Sequence, residues 1–120
     1  MAPLGVMASG SWVVSAPSVR VAMAERETHS APMQFSDGSA VSRGARIHSV
    51  SWQYRLPPGT QVRAWLCQEN DCITLNQARG SSLALAGRSA TRPMHFRFAL
   101  PQGQKKMVEV RELQLIVNYH

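Results

Sequence analysis

Apolar and polar residues alternate with a period of two along most of this chain, the spacing of half-buried strands. The clearest run is 47–56, IHSVSWQYRL. There His48, Val50, Trp52, Tyr54 and Leu56 fall on one face, and Ile47, Ser49, Ser51, Gln53 and Arg55 fall on the other. Pro57-Pro58-Gly59 ends the run, because proline has no N–H for a ladder and glycine permits a turn. Residues 61–67 resume with Val62, Ala64 and Leu66 inward and Arg63 and Trp65 outward. After the polar turn Gln68-Glu69-Asn70-Asp71, Ile73 and Leu75 return to the inner face. Leu83 and Leu85 alternate with alanine over 82–86. Over 94–100, Met94, Phe96, Phe98 and Leu100 share a face opposite His95 and Arg97, and Pro101-Gln102-Gly103 then turns. Val108 and Val110 follow, and Leu113, Leu115, Val117 and Tyr119 line one face of 113–119. Residues 12–14 and 19–23 are two further candidates near the start.

About eight short strands, with turn signals roughly every 8–12 residues, predict an all-β fold: an antiparallel β-sandwich, with a small barrel as its nearest variant. The predicted core contains Val50, Trp52, Tyr54, Leu66, Ile73, Phe96, Phe98, Leu115 and Val117. A helix is conceivable only over 21–27 (VAMAERE), and Thr28, His29, Ser30 and Pro32 stop it, so the stretch reads as a strand end. Residues 28–46, rich in Ser, Gly and Ala, read as a long loop with one short edge strand near Met33–Phe35.

Composition adds limits. With 120 residues the chain suits one domain, and its 44% apolar content is too high for intrinsic disorder. No run of about 18 apolar residues predicts a transmembrane helix. Thirteen Lys+Arg against seven Asp+Glu give +6, and eleven of the thirteen are arginines placed singly. Such scatter fits solvated strand faces, or a surface that meets acidic partners, and does not fit a nucleic-acid-binding tail. Residues 1–9 have no charged n-region and too short an apolar stretch for a full signal peptide. They read as a disordered tail or signal-peptide remnant before a single sandwich domain at 10–120.

Cys67 and Cys72 flank the polar turn, so a hairpin would set them opposite one another. Opposed residues in an antiparallel pair have Cα atoms about 4.5–5.5 Å apart, within reach of a disulfide. The alternation puts both on the outer face with Arg63, Trp65, Thr74 and Asn76. A disulfide is the preferred reading and implies an oxidising compartment. Free thiols are a second, and a zinc site, which would need two more ligands, a third.

No catalytic constellation stands out. The seven acidic residues form no recognisable pattern with His29, His48, His95 or His120, and the chain has no G-x-S-x-G elbow, G-x-G-x-x-G turn or P-loop. No cofactor or metal is expected. Trp65 is unusual, because alternation places it outward beside arginine. It is either a partner anchor or a side chain covered by the 28–46 loop, and Arg63 and Trp65 are the predicted contact pair.

Along the chain come Gly10-Ser11-Trp12, Ser30-Ala31-Pro32-Met33, Trp52-Gln53-Tyr54-Arg55-Leu56, Val62-Arg63, and Leu66-Cys67 with Cys72 and Leu75. Gly80, Gly87, Pro93-Met94 with Phe96, Pro101-Gln102-Gly103 and the terminal Ile116-Val117-Asn118-Tyr119-His120 follow. In this order the segments resemble the FlhE family of flagellar proteins. The resemblance spans roughly residues 10–120; the cysteine pair and the terminal block are its most specific parts. It implies a periplasmic β-sandwich with no known enzymatic activity, tied to flagellar assembly. The family roles it brings are control of the export apparatus, limitation of proton leak through it, and chaperoning of rod subunits. Flagellar rod or export-apparatus proteins are then the expected partners. A carbohydrate- or peptidoglycan-binding module, with Trp65 as stacking platform, is the alternative.

Overall fold

The computed structural model describes residues 10–22, 26–34, 44–104 and 106–120. Among them the strands are β1 (Gly10–Ala16), β2 (Val19–Val21), β3 (Thr28–His29), β4 (Ile47–Arg55), β5 (Arg63–Gln68), β6 (Asp71–Leu75), β7 (Arg79–Ser82), β8 (His95–Ala99) and β9 (Val108–Tyr119). They form two antiparallel sheets, as the alternation predicts. One runs β1-β9-β4-β7, with β2 also on β9; the other runs β3-β8-β5-β6. The expected tail at residues 1–9 lies outside the described residues.

The two inner faces meet in one core. On the first sheet Val50 pairs with Val117 and Trp52 with Leu115; on the second, Ala64 pairs with Phe98 and Leu66 with Phe96. The Phe96 and Phe98 rings stack at 5.8 Å, and Tyr54 reaches across from β4 to meet Phe98 edge-on at 5.4 Å. Eight of the nine predicted core residues are buried. Ile73 is half-buried, because β6 is a sheet edge and one flank of its side chain faces water. Gly80 lies opposite Trp52, whose indole N–H donates to the Gln77 carbonyl at 2.9 Å. A Cβ at position 80 would stand 2.8 Å from the indole ring, so only glycine lets the ring lie flat there.

Irregularities change which face each residue takes. In β4, Ile47 pairs with Tyr119 and Ser49 with Asn118, which leaves His48 as an extra residue. This bulge turns Ile47 into the core and exposes His48, the reverse of the sequence expectation. At the other end, Gln53 pairs with Gln114 and Arg55 with Arg111, so Glu112 and Leu113 together oppose Tyr54. Glu112 takes a left-handed φ of 54° to make that second bulge. On the far side of β9, Ala16 pairs with Leu113 and Val19 with Val110, which brings Pro17 to the level of Glu112. Proline cannot donate, so the ladder lapses there and both strands change phase together. Trp12 and Leu113 point inward before the break; Val19, Val21, Val108 and Val110 point inward after it. The two predicted segments 108–110 and 113–119 are therefore one bent strand.

Two expectations on the connections also change. Residues 83–87 are a turn after β7, closed by an Ala86 N–H bond to the Leu83 carbonyl at 3.0 Å. Leu83 is consequently 65% exposed while Leu85 is buried. Within 28–46, Thr28 and His29 pair with β8 and Met33 bridges to Met94. Buried Ser30 joins them, since its Oγ accepts the Phe96 N–H at 2.9 Å. Phe35, part of the expected edge strand, lies outside the described residues.

Candidate functional site

The predicted contact residues sit on the outer face of the four-stranded sheet. The β5–β6 hairpin turns at Glu69-Asn70, so Gln68 pairs with Asp71 and Cys67 with Cys72. The two cysteines form a disulfide, with Cα atoms 4.0 Å apart. Cys67 faces outward as alternation requires, yet it is fully buried, between Cys72 and His95 on the neighbouring strands. The hairpin end is held against the 88–92 segment. Asp71 pairs with Arg88, Glu69 pairs with Arg92, and buried Gln68 donates to the Ser89 carbonyl at 2.8 Å.

Two residues along β5 from the disulfide, Trp65 lies between Thr74 on β6 and Arg97 on β8. The Arg97 guanidinium stands 4.6 Å from the indole centroid and that of Arg63 stands 5.2 Å away. Both distances are in the range of cation–π attraction. The Nε of Arg97 is buried and lies 3.3 Å from Glu27 Oε2, an ion pair without the alignment of a hydrogen bond. Beyond Arg97, the His29 and His95 rings lie with centroids 5.0 Å apart, tilted by 30°. Trp65 is half-buried, and the guanidinium groups of Arg63 and Arg97 lie over its ring. Residues 35–43 of the loop expected to cover it lie outside the described residues.

The structure thus brings Arg63 and Trp65 together and adds Arg97, His95, His29 and Glu27. The outward phase of His95 and Arg97 was readable in the 94–100 alternation. Their place beside Trp65 was not, because β5 and β8 are joined by pairing across the sheet and not by a short turn.

Burial pushes the His95 pKa below its ordinary 6.5, and the nearby His29 and Arg97 charges push it the same way. A histidine whose folded pKa is lowered binds protons more readily when unfolded. Its contribution to stability is therefore complete above the ordinary histidine range and is lost as pH falls through it. Thermal melts at about pH 7.5 and about pH 5.5 should show a drop in midpoint on acidification, and His95→Gln should reduce that drop. An unchanged drop in the variant would place the acid-sensitive group elsewhere.

Chemically, this face offers arginine N–H donors, an aromatic edge and a rigid disulfide hairpin. Among the described residues no three His, Cys, Asp or Glu side chains gather as metal ligands would. A sugar stacking on Trp65 would first have to displace a guanidinium.

Residues 19–120 match the model of the family described as Flagellar protein FlhE. This chain belongs to the FlhE family. The FlhE protein of Yersinia enterocolitica is 34% identical over 124 residues, spanning 98% of this chain and 86% of that one. The FlhE protein of Escherichia coli K12 is 29% identical over 123 residues, spanning 98% and 92%. A crystal structure of FlhE matches the fold with a TM-score of 0.81 at 28% identity, covering 93% of this chain and 97% of that one. The resemblance drawn from the ordered segments is borne out, and so is the sandwich. FlhE membership supports a flagellar-related role, and the disulfide fits an oxidising compartment. No helix among the described residues is long and apolar enough to cross a membrane.

Proposed function

We propose that this chain is a non-enzymatic periplasmic protein of flagellar biosynthesis that binds flagellar rod or export-apparatus proteins. It would regulate the type III export apparatus, limiting proton leak, or chaperone rod subunits before assembly. The observation that carries this reading is the outer face around Trp65, where Arg63 and Arg97 hold an indole half-open to solvent beside a cross-linked hairpin. Tryptophan and arginine are the residue types most enriched among interface hot spots. A regulator or chaperone needs such a face and needs no catalytic base.

The test is complementation of a deletion strain. Arg63→Ala with Trp65→Ala should reduce motility and partner capture severalfold. Both side chains lie outside the core, so the thermal midpoint should move by only a few degrees. Full motility with the double variant would move the contact elsewhere. A collapse of the midpoint would show instead that Trp65 is part of the packing.

A further inference from the structure

A sheet edge presents unpaired backbone N–H and C=O groups, and proteins normally guard it with charge, proline, bulges or brevity. Most described edges here are guarded. β3 has two residues, β2 has three with Arg20 at its centre, β7 has four and begins with Arg79, and β6 begins with Asp71 and is tied by the disulfide. The exception is β1. It pairs with β9 through seven consecutive residues, Gly10 to Ala16, without a break. Its sequence, GSWVVSA, has no charge and no proline. Val13 at its midpoint is 57% exposed. Among the described residues no strand pairs with its other side.

We propose that β1 is a self-pairing edge, to which a second copy of this chain adds through an antiparallel β1–β1 ladder centred on Val13. The occupant follows from the strand's own symmetry. Ser11-Trp12-Val13-Val14-Ser15 reads nearly the same in both directions. About a two-fold axis through Val13, the exposed valine meets its counterpart, Ser11 meets the partner's Ser15, and Trp12 meets the partner's Val14. Each pair matches apolar with apolar or hydroxyl with hydroxyl, and no like charges meet. One patch thus complements itself, as a two-fold dimer requires. The joined sheets leave the Trp65 face, on the other sheet, uncovered. A single added ladder buries less than the roughly 1,200 Å² of a stable interface, so the dimer is weak and concentration-dependent.

Cross-linking reads the register directly. Both native cysteines are in the bridge, so an introduced thiol is the only free one. Val13→Cys should give a disulfide-linked dimer under mild oxidation. Ser11→Cys alone should not, because the two thiols would lie about 13 Å apart, four residue rises. Mixing Ser11→Cys with Ser15→Cys should restore the cross-link. In sedimentation, Val13→Lys should weaken self-association at least tenfold, while Leu83→Lys, at another exposed apolar position, should not. A chain that stays monomeric at about 1 mM overturns the proposal, and so does a Ser11→Cys variant that cross-links as readily as Val13→Cys.

Discussion

Phe96→Ala is expected to cost about 3–5 kcal/mol of folding stability. Phe96 is fully buried, pairs with Leu66 on β5, stacks on Phe98 and meets Tyr54 from the opposite sheet at 6.3 Å. Its ring therefore fills the space between the sheets, and alanine would leave a cavity that neighbours in both could close only in part. The backbone N–H bond to Ser30 Oγ would survive, so the loss is one of packing. Small domains have only about 5–15 kcal/mol of stability, so the variant should unfold at much lower urea. A cost below about 1 kcal/mol would mean that the inner face of β8 is assigned wrongly.

Loss of the Cys67–Cys72 bridge is the second large effect, at about 2 kcal/mol on the chain-entropy account. The bridge closes a sequence separation of only five, so it restricts the unfolded chain modestly. Cys67→Ala with Cys72→Ala should lower the thermal midpoint by about 8 °C, at about 4 °C per kcal/mol for this size. The hairpin would keep its Asp71–Arg88 and Glu69–Arg92 pairs, so the sheet should persist. Thiol titration of denatured, unreduced protein should find no free cysteine. Two free thiols per chain would contradict the bridge.

Much of the fold was legible because burial on one face leaves a period-two trace. Val50, Trp52 and Tyr54 on β4 and Phe96 and Phe98 on β8 follow that trace without interruption, and each is buried. The trace fails where an extra residue enters a strand. His48 and Glu112 carry no local signal of a bulge, since the extra residue is set by pairing with a distant strand. Leu83 failed differently: its alternation with Leu85 is that of a strand, but the backbone turns there. The Cys67–Cys72 hairpin was legible because its partners are five residues apart. The Arg97 and His95 part of the contact face was not, because its partners on β5 lie about thirty residues away in sequence.

On the proposed function, the Trp65 face, and not the opposite face of the sandwich, meets the flagellar partner. Site-specific photo-cross-linking in living cells tests it most directly. A photoreactive residue in place of Trp65 would be compared with one in place of Gln53, which lies on the outer face of the other sheet between Gln114 and Arg79. Position 65 should give adducts to flagellar rod or export-apparatus proteins, and position 53 few or none. Adducts to such proteins from position 53, with none from position 65, would contradict it.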